Sequence, residues 1–73
     1  MVLINKIEVE RDYILLVEFN DGKIKKVDLS PYLSKGIFTQ LKDKNYFRLV
    51  KNNHYFISWP NNQELSSDTF YYS

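Results

Sequence analysis

The chain holds a single histidine, His54, and histidine is the side chain best suited to acid–base chemistry near neutral pH. Catalysis or metal binding by a histidine requires companions, such as a nucleophile, a carboxylate or further ligands at a fixed spacing. The nearest acids along the chain are Asp43 and Glu64, and neither lies at such a spacing. We therefore interpret His54 as an exposed turn residue and predict no metal site.

The carboxylates are the second group that could do chemistry, as general acids or bases. Most of them lie on the outward phase of predicted strands, as do Glu8, Glu10 and Glu18. Asp28 differs, because it precedes Ser30-Pro31, where a strand should give way to a helical turn with Ser30 as N-cap and proline at the first position. We interpret Asp28 and Ser30 as structural caps, and we predict no catalytic residue and no cofactor.

Residues 57–62 read Ile-Ser-Trp-Pro-Asn-Asn and include the only tryptophan. Trp59 shares its strand phase with Tyr55 and Ile57, so its ring is expected to join the core. Pro60 should end the strand, and the two asparagines should supply the hydrogen bonds of a turn. The alternative is a recognition loop. The candidate partner contacts are therefore Trp59, Pro60, Asn61, Asn62 and Tyr71.

Length and composition limit the class of protein. We expect 73 residues to form one small domain, 1–73, and a chain of this size buries only ~60% of the surface that it exposes when unfolded. It has no cysteine for a disulfide, but it has six Tyr, five Phe and one Trp. No apolar run is long enough for a signal peptide or a membrane span. We expect a cytoplasmic protein that does not enter a membrane.

The basic residues do not form a dedicated nucleic-acid surface. The net charge is only +1, whereas such binders carry a pronounced basic excess. Strand alternation places Lys23 and Lys25 on one face and Lys26 on the other, and Lys51 lies far along the chain. We interpret these lysines as protection of an open sheet edge, with nucleic-acid binding as the alternative.

The first half of the chain predicts three strands. Ile7 and Val9 alternate with charged residues, and a β-prone run follows from Tyr13 to Phe19. Asp21-Gly22 then separates this run from Lys23–Leu29, which is a strong hairpin signal. A two-residue loop and a three-residue loop are both compatible with this pattern.

The two loops differ in register. The shorter loop would place Glu18 opposite Lys25, and the longer loop places Leu15 opposite Val27. We favour the longer loop, with Gly22 in the left-handed conformation, because it aligns apolar residues on one face. The preference is mild, since Ile14 and Leu16 make the other face partly apolar.

The second half predicts short helical pieces and a second hairpin. Asp43 is a predicted N-cap for a helix over residues 44–48. Asn52-Asn53 is predicted as a two-residue turn between strands, and Ser66 or Ser67 should cap a last helical turn. The expected class is α+β: a small antiparallel sheet in the order β-β-β-α-β-β, with short helical turns packed on one face.

The ordered features resemble a known bacterial family. They are Leu15-x-Val17-x-Phe19-x-Asp21-Gly22, Val27-Asp28-Leu29-Ser30-Pro31-Tyr32-Leu33, Gly36-Ile37-Phe38-x-x-Leu41-x-Asp43 with Phe47, Ile57-x-Trp59-Pro60-Asn61, and Glu64-Leu65-Ser66-x-Asp68-x-Phe70-Tyr71. Together they are similar to the domain-of-unknown-function family numbered 2442, over almost the whole chain. The chain departs from the family pattern at three positions. Asn62 stands where glycine is common, Glu64 where aspartate is common and Phe70 where leucine is common. The first departure is expected to change the turn after Trp59-Pro60.

The resemblance implies a small α+β domain without an established activity. Some members are fused to a helix-turn-helix domain, which we do not expect in these 73 residues, and others are encoded beside a small protein in a toxin–antitoxin-like arrangement. We hypothesise a non-enzymatic protein-interaction module, an antitoxin-like partner of a small neighbouring protein, and self-association through a sheet edge remains open. The alternative is a nucleic-acid-binding accessory domain, in which aromatic rings would stack on bases, or a regulatory module.

Overall fold

The computed structural model describes residues 2–72 and shows a small α+β fold, as the sequence predicts. A first antiparallel sheet has the strand order β1-β2-β3, with strands Ile4–Arg11, Ile14–Phe19 and Ile24–Asp28. Two 3₁₀ turns and a helix follow, namely η1 (Ser30–Tyr32), η2 (Gly36–Lys42) and α1 (Lys44–Phe47). A second sheet has the order β4-β5-β6, with strands Lys51–Asn52, Phe56–Ser58 and Glu64–Ser66, and helix α2 spans Ser67–Tyr71.

The β2–β3 hairpin adopts the predicted three-residue register. Leu15 lies opposite Val27, and the Phe19 amide donates to the Lys23 carbonyl at 2.8 Å. Gly22 has φ +90°, in the left-handed region that glycine adopts without a side-chain clash. This register places the fully buried Leu15 on the same face as Val27, so the hydrophobic pattern and the turn agree.

The core lies on one face of the first sheet and is shared by the helical pieces. Alternate residues of β2 point into it, and α1 and α2 each contribute one phenylalanine. The buried apolar residues form one cluster: Ile4, Leu15, Val17, Phe19, Val27, Leu29, Leu33, Leu41, Phe47, Ile57, Trp59 and Phe70. The helical turns pack on this face, and the opposite face of the first sheet carries half-buried Ile14 and Leu16.

Helix α1 starts where the sequence predicts. The Asp43 carboxylate accepts hydrogen bonds from the backbone amides of Asn45 at 2.9 Å and Tyr46 at 3.4 Å. These amides have no partner inside the helix, so the carboxylate satisfies them directly. The Asp43 cap is therefore confirmed.

The turn of the second hairpin differs from the prediction. Strand β4 ends at Asn52 and β5 starts at Phe56, so the turn includes His54 and Tyr55 rather than Asn52-Asn53 alone. His54, not an asparagine, has the positive φ of +68°, and Asn53 N–H donates to the Phe56 carbonyl at 2.9 Å. Tyr55 is 55% exposed in this turn, so the predicted face shared with Ile57 was wrong for this residue.

A third short strand pairs with β5 and completes a second sheet that the sequence pattern did not indicate. Strand β6 has three residues, too few for a recognisable alternation, and it forms because Leu65 pairs with Ile57. The two sheets meet at Ile4, whose amide donates to the His54 carbonyl at 2.7 Å. Asn52 Nδ2 donates to the Ile4 carbonyl at 3.1 Å, which further joins the sheets.

Candidate interaction site

Trp59 lies in the core, where its strand phase placed it. The residue is 3% exposed, and its ring centroid lies 5.8 Å from that of Phe47. The indole Nε1 donates to the Phe47 carbonyl oxygen at 2.9 Å, which satisfies the polar atom of a buried ring. Among the predicted partner contacts, Trp59 therefore has almost no surface of its own to offer.

A buried glutamine holds the loop after Trp59. Gln63 is 1% exposed, and its Nε2 donates to the Ile37 carbonyl at 2.9 Å and to Gln40 Oε1 at 3.0 Å. Its Oε1 accepts from the Tyr46 hydroxyl at 2.8 Å. Sequence reasoning missed Gln63 and Tyr46, because these partners are distant in sequence and no local pattern distinguishes a buried glutamine from an exposed one.

The two asparagines of the loop serve the same network. Asn61 N–H donates to the Tyr46 hydroxyl at 2.8 Å, and Asn61 Nδ2 donates to Gln40 Oε1 at 2.7 Å. Asn62 N–H donates to the Trp59 carbonyl at 3.0 Å, and Asn62 has φ +70°, a conformation typical of glycine. The turn thus accommodates asparagine, and Pro60 and Asn62 are its exposed tip.

Tyr71, the last predicted partner contact, connects α2 to the first hairpin. Its ring packs edge-on against Phe19 at a centroid distance of 5.1 Å, and its hydroxyl donates to Asp21 Oδ2 at 2.5 Å. This hydrogen bond, followed by one from the Lys23 amide, lowers the pKa of Asp21 below its ordinary value. Lys23 Nζ lies 4.7 Å from the Tyr71 ring centroid, so Tyr71 joins helix α2 to the first hairpin.

The lysines of β3 make contacts within the chain rather than a continuous basic stripe. Lys25 Nζ donates to the Tyr71 carbonyl at 2.6 Å, and Lys26 Nζ lies 3.1 Å from Glu10 Oε1. Because β3 is an edge strand, these charges lie where a sheet needs protection from uncontrolled pairing.

Asp28 lies at the start of η1 and bonds locally. Its Oδ1 accepts from the Ser30 amide at 2.9 Å and from the Ser30 hydroxyl at 2.6 Å, and these bonds lower the pKa of Asp28. Ser30 itself does not occupy the predicted N-cap position, because η1 begins at Ser30 and Leu29 precedes it. Its hydroxyl is directed to Asp28 instead of a helical amide.

The outer face of the first sheet carries apolar side chains that lie outside this network, and we call it the open face. Its apolar side chains are Ile14, Leu16 and Ile24, and Ile24 is 59% exposed. Charged residues of both signs border them in the same rows of the sheet, because Leu16 pairs with Glu8 and Lys26, and Glu18 pairs with Lys6 and Ile24. A shallow depression of about 170 Å³ lies among these side chains.

Between residues 2 and 72, no group of three or more His, Asp or Glu residues is arranged to hold a metal ion. Within the same range, no helix has the length and apolarity needed to cross a membrane. His54 lies exposed in its turn, and its Nδ1 lies 2.9 Å from the Ile4 carbonyl oxygen.

The sequence model of a family described as "Protein of unknown function (DUF2442)" matches residues 4–73. No curated protein and no solved structure matches the chain.

Proposed function

The chain belongs to this family of proteins of unknown function, DUF2442, and from its own surface we propose that it is a non-enzymatic protein-interaction module. The partner we propose is a small folded protein encoded beside it, which the module binds and neutralises as an antitoxin would. The open face is the single observation that carries the proposal.

The open face supports binding because the fold does not use it. Leu16 and Ile14 are half-buried and Ile24 is mostly exposed, while the opposite phase of β2 already fills the core. A partner that covers apolar side chains on a sheet face removes them from water. This burial stabilises the complex by about 25 cal/mol for each Å² of apolar surface. An exposed strip with a polar rim is typical of a surface that meets another protein.

The border charges favour a protein partner over a nucleic acid. Glu8 and Glu18 lie beside the apolar strip, and a carboxylate at a phosphate backbone is repulsive. Lys6 and Lys26 alternate with these acids, so the face suits a partner whose own rim carries charges of both signs.

The experiment is co-expression of the chain with the small protein encoded beside it, followed by size-exclusion chromatography and calorimetry. We expect a complex whose affinity falls at least about tenfold in Ile24→Asp, since the new charge would be buried without a partner. Ile37→Asp is the matched control, because Ile37 is 60% exposed and Ile24 is 59% exposed, yet only Ile24 lies on the open face.

Two results would contradict the proposal. The first is that the chain remains an inert monomer with no complex. The second is that both aspartate variants bind like the unmodified chain. An electrophoretic mobility shift of random double-stranded or single-stranded nucleic acid at low salt would instead favour a nucleic-acid-binding function.

A further inference from the structure

The turn of the first hairpin contains the only Asp-Gly step of the chain, Asp21-Gly22, and the chain has no Asn-Gly step. Asp-Gly is among the dipeptides most prone to spontaneous rearrangement, because glycine has no side chain to hinder attack by its nitrogen on the aspartate carboxyl. Both residues are exposed, and a Cβ built on Gly22 would meet no atom within 4 Å beyond its chain neighbours. Packing therefore does not shield the Gly22 nitrogen.

The rearrangement requires only the chain and water. The Gly22 nitrogen attacks Cγ of Asp21, so that the N–Cγ bond forms, the Cγ–OH bond breaks, and the hydroxyl leaves with the amide proton as water. The resulting cyclic imide then takes up water. Opening at the bond between the nitrogen and the main-chain carbonyl carbon of Asp21 gives isoaspartate, whereas opening at Cγ restores aspartate. Isoaspartate adds the Asp21 Cβ to the main chain and so lengthens the hairpin loop.

The fold engages both oxygens of the Asp21 carboxylate. Oδ1 accepts from the Lys23 amide at 3.0 Å, and Oδ2 accepts from the Tyr71 hydroxyl at 2.5 Å. Attack on Cγ requires the carboxyl group to turn and to lose one oxygen, so at least one of these bonds must break first. The bond from Tyr71, followed by that from Lys23, also lowers the pKa of Asp21, so the protonated carboxyl that loses hydroxyl is scarce.

The nitrogen that would attack is held as well. Gly22 N–H donates to the Phe19 carbonyl at 3.0 Å, which fixes the amide within the loop. The Tyr71 ring packs edge-on against Phe19 at a centroid distance of 5.1 Å. Helix α2 therefore holds the reacting groups through one residue, whose hydroxyl binds the Asp21 carboxylate and whose ring packs on the residue that accepts from Gly22.

We propose that Asp21-Gly22 is a site of spontaneous rearrangement to isoaspartate, and that Tyr71 suppresses this reaction in the folded chain by binding the carboxylate. The site becomes reactive when α2 leaves the first hairpin, so isoaspartate accumulates with the time that this contact is broken. The product would alter the loop that sets the pairing of β2 with β3. This chemistry is independent of the proposed partner, because the two residues lie in the turn between these strands.

The test measures isoaspartate after incubation of the whole chain at neutral pH. Tryptic cleavage after the flanking basic residues releases residues 12–23, and chromatography with electron-transfer fragmentation distinguishes isoaspartate from aspartate of equal mass. Asp12 in the same fragment is an internal control, because the bulky Tyr13 follows it. We expect isoaspartate at Asp21 to form at least about tenfold more slowly in the folded chain than in guanidinium chloride, since native contacts must open first.

Variants test the role of the Tyr71 hydroxyl. Tyr71→Phe retains the ring and should form isoaspartate at least about fivefold faster than the unmodified chain, because the carboxylate loses a charge-assisted hydrogen bond. Tyr72→Phe is the matched control and should keep the slow rate, since Tyr72 is 75% exposed. Asp21→Glu keeps the charge but would need a larger ring, so it should give no rearranged product. Far-UV circular dichroism checks that each variant folds.

Three results would overturn the proposal. Equal rates in the folded and unfolded chains would show that the fold does not protect the site. A folded Tyr71→Phe chain that rearranges no faster than Tyr72→Phe would remove the role of Tyr71. Hydrogen exchange at the Gly22 amide needs no variant, and it should be slower than in the unfolded chain because this amide donates to Phe19. Exchange at the unfolded rate would show that the nitrogen is not held.

Discussion

The indole nitrogen of Trp59 donates a 2.9 Å hydrogen bond to the carbonyl oxygen of Phe47, the last residue of α1. Carbonyls at the end of a helix have no partner within it, so the Phe47 carbonyl can accept this bond together with one from the Val50 amide at 3.3 Å. The same two rings are in contact in the core. The second sheet and the helical segment are thereby connected through one side chain.

Replacement of Trp59 should therefore separate packing from hydrogen bonding. Trp59→Ala is expected to cost about 3–5 kcal/mol, which is enough to unfold a domain of this size. Trp59→Phe keeps most of the packing and should cost about 0.5–1.5 kcal/mol through the lost hydrogen bond, because the Phe47 carbonyl still accepts from the Val50 amide at 3.3 Å. Urea unfolding followed by far-UV circular dichroism measures both. A folded Trp59→Ala chain that had lost only partner binding would overturn the structural role.

Replacement of the buried Gln63 should lower the free energy of unfolding more than replacement of Gln40, the exposed glutamine beside it. Gln63→Leu keeps the volume but leaves the Ile37 carbonyl without its donor, at an expected cost of about 1–3 kcal/mol. Gln40→Ala is the control, since Gln40 is exposed and water can replace it. A double-mutant cycle with Tyr46→Phe should show a coupling of about 0.5–3 kcal/mol. Additive effects would show that the two side chains act separately.

The turn after Pro60 should tolerate glycine better than a branched side chain. Asn62 has φ +70°, which glycine adopts freely and β-branched residues do not. We expect Asn62→Gly to change the free energy of unfolding by less than about 0.5 kcal/mol, because the strain it relieves is offset by the entropy of the unfolded chain. Asn62→Val should cost about 1–2 kcal/mol. Equal melting temperatures for Asn62→Val and Asn62→Gly would contradict this prediction.

Stability should fall in acid through the contact between Tyr71 and Asp21. The folded state lowers the pKa of Asp21 from 3.8, first through the Tyr71 hydroxyl and then through the Lys23 amide. A depressed folded-state pKa contributes stability that is fully present well above 3.8 and is lost as the pH falls through the lower, folded value. Tyr71→Phe should therefore reduce the pH dependence in this acidic window.

The matched control for this pH dependence is Tyr72→Phe, because Tyr72 is the neighbouring tyrosine and is 75% exposed. Urea midpoints measured through the acidic range should coincide for Tyr72→Phe and the unmodified chain. An unchanged acid profile in Tyr71→Phe would show that this hydroxyl does not set the pKa of Asp21.

Features that depend on a few adjacent residues were predictable from the sequence. Asp21-Gly22 between β-prone runs indicated the hairpin, and the apolar phase of β2 selected its register. The Asp43 cap lies next to the amides that it satisfies. The phase of Trp59 indicated burial, and the ordered motifs indicated the family. Each of these inferences uses periodicity or local bonding, which the sequence states directly.

Features that join distant residues were decided only by the tertiary structure. The pairing of Leu65 with Ile57 creates β6, and the partners of Gln63 come from η2 and α1, so neither has a local signal. Alternation showed that both faces of β2 are partly apolar, but it could not show which one the helical turns would cover. That choice leaves Ile24 exposed and the edge of β3 beside a groove, because a chain this short has only enough helix to cover one side of its sheet.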